Sequence, residues 1–234
     1  MTNRVRVPEV GPVLTVSGHV RLREPSPLDG RAWSRLRLDD ANRLAARNEG
    51  LVPVDSLERW AQQNRPANWM QVHRTAMHRI ERDLGFSWVI DLDGQFAGQM
   101  ELTGLTRAPH HAARVGAWVG RRFAGGGVGA AALALALDHA FGPADIAVVE
   151  AFVDNDNEPS RRGLLSMGFR RVGPQQQLRS TWESHFPPDP AAELFEITRA
   201  DLPAGSSSFV EHTLSDRLPR PHRASDIDKK GNSP

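Results

Sequence analysis

Cysteine and tyrosine are both absent from these 234 residues, and each absence removes a class of chemistry. Without cysteine there is no disulfide, thiolate metal ligand or thiol nucleophile, which fits a reducing compartment and sets a cytoplasmic location as the expectation. Without tyrosine no phenol can donate a proton. An excess of one charge is missing too: 29 Lys+Arg against 28 Asp+Glu leave a formal net charge of +1, so nothing marks a nonspecific nucleic-acid binder. No apolar run approaches the ~20 residues of a membrane span, and residues 1–11 lack the apolar core of a signal peptide. Metal ligation also finds no pattern. His73 and His78 fall off one helical face, His110 and His111 are adjacent, and no His-Glu-x-x-His occurs.

What is present centres on residues 117–140, which read as a strand end, a glycine turn and an Ala/Leu-rich helix. Gly125, Gly126, Gly127 and Gly129 open backbone dihedrals closed to other residues and put no Cβ between the amides and a ligand. The first-turn N–H groups of the following helix favour an anion such as a pyrophosphate. A plain strand-to-helix turn packed with small residues is the other reading. The run from Gly125 to Ala130 also parses as the dinucleotide fingerprint G-x-G-x-x-A, with Glu150 placed to hold a ribose. The strands preceding it look like hairpins, however, which a Rossmann unit does not have. No Lys-Ser or Lys-Thr follows the glycines, so a P-loop does not fit.

Around this stretch the chain divides into an N-terminal arm (1–12), one domain (13–203) and a polar tail (204–234) with little to bury. Alternation predicts strands over 19–23, 86–91, 95–102 and 114–119, with Asp93-Gly94 as a hairpin turn. Helical spacing covers 29–48, in two pieces, then a segment capped by Asp55, then 69–84. A buried strand is expected over 146–152, a short helix over 157–167 ended by Gly168, a strand pair at 169–172 and 178–182, and a last strand at 192–198. The predicted class is α/β: a mixed, mostly antiparallel twisted sheet flanked by helices.

Asn157-Glu-Pro-Ser160, followed by Leu164-Leu-Ser-Met-Gly-Phe169, completes a second motif. Taken with the glycine turn, its order and separation resemble the GNAT acyltransferases, and in outline the RimJ/RimL-like branch that acetylates N-termini of ribosomal proteins. The resemblance implies acetyl-CoA as co-substrate and no metal. It implies that the backbone of Ala124, Gly125, Gly126, Gly127, Val128, Gly129 and Ala130 holds the pyrophosphate, with Arg122 or Arg121 as the substitute side-chain help. Pantetheine then runs along the strand carrying Trp118 and Val119, the Val119 N–H meets the thioester oxygen, Asn157 faces pantetheine and Ser160 faces sulfur. Asn and Ser are also the preferred helix caps, which is the alternative role for both. The chain departs from the family pattern where Ala124 replaces an Arg or Gln, Leu164 a tyrosine, Thr106 a glutamate base and Ser184 an aspartate near Trp182 and His185.

Acetyl transfer to nitrogen needs a neutral amine. An α-amine with pKa near 8 is about a tenth neutral at pH 7, a lysine near 10.4 well under a thousandth, so a chain terminus needs only a weak base or a water relay. Glu101, on one face with Gln99 and Thr103, is the first candidate base; pairing with Arg114 or another arginine is its alternative. His111 and His185 rank below it. The expected partners are acetyl-CoA and the N-terminus of an acceptor protein, a ribosomal one by resemblance, with monomer and homodimer both open. A small-molecule amine as acceptor, and a CoA-binding module without turnover, are the rival readings.

Overall fold

The computed structural model describes residues 7–48, 57–173 and 192–202. Among the described residues eight strands form one sheet in the order β1-β2-β3-β4-β5-β6-β8-β7. They are β1 (Val10–Thr15), β2 (Gly18–Arg23), β3 (Gly85–Leu92), β4 (Gln95–Thr103), β5 (Ala112–Val119), β6 (Val148–Val153), β7 (Arg170–Gly173) and β8 (Glu193–Thr198). Six helices accompany them among the described residues: α1 (Gly30–Asp39), α2 (Ala41–Asn48), α3 (Leu57–Gln63), α4 (Trp69–Glu81), α5 (Val128–Phe141) and α6 (Glu158–Ser166). Every neighbouring pair is antiparallel except β5 with β6. The expected class is therefore the one observed.

Local chemistry accounts for most elements. Asp93 (φ 47°) and Gly94 (φ 83°) both take positive φ, the turn that a two-residue hairpin between β3 and β4 demands. Ser26 and Asp29 make a reciprocal capping box ahead of α1. Gly168, at φ 95°, stops α6. The helix α5 is apolar almost all round because it lies against β1, β2, β4 and β5, whereas α1 and α4 cover the opposite face over β4 and β3. Its His139 is 4% exposed and stands edge-on to Phe86 and Trp88, with ring centroids 4.5 and 5.2 Å away. Burial pushes that imidazole from 6.5 down to about 4.

Two expectations need correction, and one pairing is added to. The arm is not loose up to residue 12: Val7 is buried, Pro8 accepts a hydrogen bond from Trp88 Nε1, and β1 begins at Val10. Pro12 sits in that strand because β1 is at the sheet edge, where a missing N–H costs no ladder bond. The 169–172 strand, which is β7, pairs with β8, and β8 inserts between β6 and β7. The 178–182 strand expected beside it lies outside the described residues, as do the cap at Asp55, Ser184, His185 and the tail from 204. Glu150 cannot hold a ribose, being fully buried in β6 between Arg114 of β5 and Glu196 of β8 in register.

Candidate active site

The parallel pair β5/β6 is in register at three rungs, Ala112 with Val148, Ala113 with Val149 and Arg114 with Glu150. Beyond that rung β5 continues to Val119 and β6 to Val153 without pairing, so the two strands part toward their carboxyl ends. A crevice at the carboxyl ends of adjacent parallel strands is where open α/β sheets bind ligands. The last shared rung belongs to a charged row running across β5, β6, β8 and β7: Arg114, Glu150 and Glu196 are buried, and Arg170 ends the row at the surface. Arg170 Nη2 reaches Glu196 Oε1 at 2.7 Å.

On its other edge β5 is zipped to β4. The register from Thr103/Arg114 to Gly98/Val119 is unbroken, and Gly120 N–H donates to Ala97 C=O at 2.9 Å. Antiparallel bonding alternates, so the Gly116 and Trp118 main chain bonds to β4, while Ala117 and Val119 turn theirs toward the gap. The Val119 carbonyl receives Arg43 Nη2 at 2.7 Å. Arg43 also meets Asp40 Oδ2 at 2.7 Å, and Asp40, buried at the C-cap of α1, takes the Arg121 N–H at 2.5 Å. The α1/α2 junction thus fixes the end of β5 where the chain enters the glycine turn.

That turn begins with a short 3-10 segment, Arg121–Phe123, whose Arg121 carbonyl takes the Ala124 N–H. Ala124 is consequently an internal cap and not a free donor. Gly125 (φ 89°) and Gly127 (φ 85°) are both left-handed, and Gly127 is the N-cap of α5 with no side-chain cap. Among the described residues, the N–H groups of Gly125, Gly126, Gly127, Val128, Gly129 and Ala130 have no hydrogen-bond acceptor. A Cβ at Gly126 would stand 1.7 Å from Ser17 Oγ at the β1–β2 hairpin tip, so a side chain there requires the exposed Ser17 hydroxyl to turn away. Arg121 and Arg122 are exposed beside the turn, with the Arg122 guanidinium 4.5 Å from the Phe123 ring centre.

Across the gap, β6 leads to α6. Asn157 caps that helix by accepting the Ser160 N–H at 3.4 Å, and Ser160 itself is exposed on the first turn. The glycine turn and the Asn157/Ser160 pair therefore follow the two strands that part.

The face covered by α1 and α4 is lined by residues in register: Ser87, Glu101 and Gly116 on one rung, Val89, Gln99 and Trp118 on another. Glu101 pairs with Arg79 of α4, at 3.5 Å, rather than with Arg114, and Ser87 Oγ lies 3.4 Å from its other oxygen. Trp118 donates to Gln99 Oε1 at 3.1 Å, and its ring faces this side, not the glycine turn. The Arg37 guanidinium is caged by Trp60, Trp118 and Trp33, at 4.6, 5.5 and 5.7 Å from their ring centres, and its Nε donates to Asn64. Sequence reading missed the Asp40 clamp and this cage; the acidic residue at a helix break was the only signal. His111 and Thr106 lie by the amino end of β5, away from the gap, and His111 Nδ1 sits 3.1 Å from the Asp145 carbonyl. Among the described residues no cluster of metal-ligating side chains exists, and no helix is long and apolar enough to cross a membrane.

Known proteins share this fold. The family described as acetyltransferase (GNAT) domain matches residues 20–170. Mycobacterium smegmatis RimJ, solved in complex with CoA-disulfide, is 30% identical with a TM-score of 0.75, covering 88% of this chain and 94% of that one. The ribosomal-protein-S5-alanine acetyltransferase of Vibrio fischeri is 20% identical (TM-score 0.59; 76% and 92% covered) and has the same fold. A putative acetyltransferase from T. thermophilus is 22% identical (TM-score 0.58; 88% and 97% covered). None of the curated proteins matches.

Proposed function

This chain belongs to the GNAT acetyltransferase family, and from that premise we propose that it carries the acetyl group of acetyl-CoA to the N-terminal α-amine of a protein, by direct attack in a ternary complex. The observation that carries the reading is the parting of β5 from β6 beside an uncapped α5 N-terminus. The residues present fit coenzyme A. Six acceptorless amides from Gly125 to Ala130, with two exposed arginines beside them, suit a pyrophosphate. The gap-facing edge of β5, with the Ala117 main chain and the Val119 N–H turned outward, suits the amides of a pantetheine chain laid alongside as an added strand.

When bound, acetyl-CoA supplies an activated acyl group; the chain supplies placement and charge. The Val119 N–H, turned into the gap and held by the Arg43 grip on its carbonyl, donates to the acyl oxygen as negative charge develops there. Ser160, on the first turn of α6, donates to the sulfur as it leaves, replacing the missing phenol. The acceptor reaches the gap over the face of Glu101, Gln99 and Trp118. Glu101 takes the proton there, directly or through water. An α-amine asks little of that base, being about a tenth neutral at pH 7. The similarity to RimJ makes a ribosomal-protein N-terminus the first acceptor to try.

The test is mass spectrometry of free and N-terminally blocked peptides incubated with the protein and acetyl-CoA. A gain of one acetyl on the free α-amine, and none on blocked peptides carrying lysine, supports the reading. Acetylation of lysine or of small amines alone refutes it.

A further inference from the structure

Gly116 stands in the middle of β5, between Arg114 and Trp118 on the acceptor-facing side and opposite Glu101 in register. Nothing local requires a glycine there. Its φ is not in the left-handed range, it is exposed, and a Cβ would meet nothing within 4 Å. The neighbouring strand glycines contrast with it: at Gly85 a Cβ would strike the Leu102 carbonyl at 2.4 Å, and at Gly98 the Trp118 carbonyl at 2.1 Å. A strand interior normally favours side chains that pack, so a glycine in open space gives up stability for room.

The room has built walls. On one side Trp118 is held by Gln99 and by the Arg37 cage; across from it Glu101 is held by Arg79 and Ser87. At the inner end lies Arg114, 9% exposed, on the last rung before β5 and β6 part. The result is a notch floored by main chain that opens on the gap from the side away from α5. We propose that Gly116 is the specificity-determining threshold of the acceptor site: the substrate's amine end crosses its bare backbone, beside the Glu101 carboxylate, to reach the acyl group. A side chain at 116 blocks the acceptor and leaves the donor untouched, since the donor lies along the Ala117 and Val119 main chain. This inference rests on the proposed acetyl transfer.

The experiment compares wild type with Gly116→Ala and Gly116→Val, using acetyl-CoA and a short synthetic peptide with a free N-terminal alanine. Gly116→Ala is expected to raise the peptide KM by about 10-fold with kcat largely kept, and Gly116→Val to lower kcat/KM by about 100-fold. Calorimetric CoA affinity stays within about twofold, and the Tm of the alanine variant equals wild type or exceeds it by about 1–3 °C. A Gly116→Val enzyme with the wild-type peptide KM overturns the assignment, as does a parallel loss of CoA affinity. If the wild type acetylates only a small amine, the protein-terminus reading falls on its own. The same KM measurement on that amine then decides the role of Gly116.

Discussion

Lowering the pH should destabilise this fold through one histidine in the helix behind the catalytic sheet. His139 is 4% exposed, its Nε2 has no hydrogen-bond partner, and burial depresses its pKa from 6.5 to about 4. Each tenfold in proton affinity is worth about 1.4 kcal/mol, so the difference amounts to about 3 kcal/mol. The sign follows from which state binds the proton. The unfolded chain protonates first, so the contribution is complete above about pH 6.5 and is lost as pH falls through the folded value near 4. Urea unfolding of wild type and His139→Leu at pH 7.5, 6.5, 5.5 and 4.5 measures it. Carboxylates titrate in both proteins and cancel in the difference. The variant should lose about 2–3 kcal/mol less than wild type across that range. Curves that stay parallel within about 0.5 kcal/mol would refute the claim that a neutral, desolvated imidazole is part of the core.

Two further outcomes test the site. Gly125→Ala puts an L-residue at φ 89° with open space around its Cβ, so the free turn is expected to relax to another conformation, and restoring the binding geometry costs CoA about 1–2 kcal/mol. Calorimetry should show CoA binding weakened about 5–30-fold, and unchanged affinity would detach the turn from the donor. Ser160→Ala should lower kcat by about 100-fold with CoA affinity retained. An unchanged kcat in single-turnover kinetics would leave Ser160 as a helix-surface residue only.

Legibility in the sequence followed range. Features decided within a few residues were readable: the Asp93-Gly94 turn, the helix start after Ser26, the break between α1 and α2, the glycine turn and the Asn157 cap. Features decided by distant partners were not. Nothing near residue 193 says that β8 enters between β6 and β7, and Pro12 disguised an edge strand as an arm. The pairing of Glu101 with an arginine was foreseeable in kind, but Arg79 arrives from a helix 22 residues earlier, chosen by the packing of α4 on β3. Asp40 and Arg121, 81 positions apart, meet only because α1 crosses β4. The role of Gly116 is visible only once its surroundings are known to be vacant.

The separation of β5 from β6 begins at a rung of buried charges, and at its far end the gap-facing Val119 carbonyl is taken by Arg43. The width of the opening is accordingly set by the fold's own hydrogen bonds, from the buried charged rung at one end to the α1/α2 junction at the other. On the proposed reading, the donor lies along the β5 edge and the acceptor crosses that edge from the α1/α4 face, so the two share only one strand. On that reading a substitution on the α1/α4 face alters which amine is accepted without loosening the grasp on the carrier molecule.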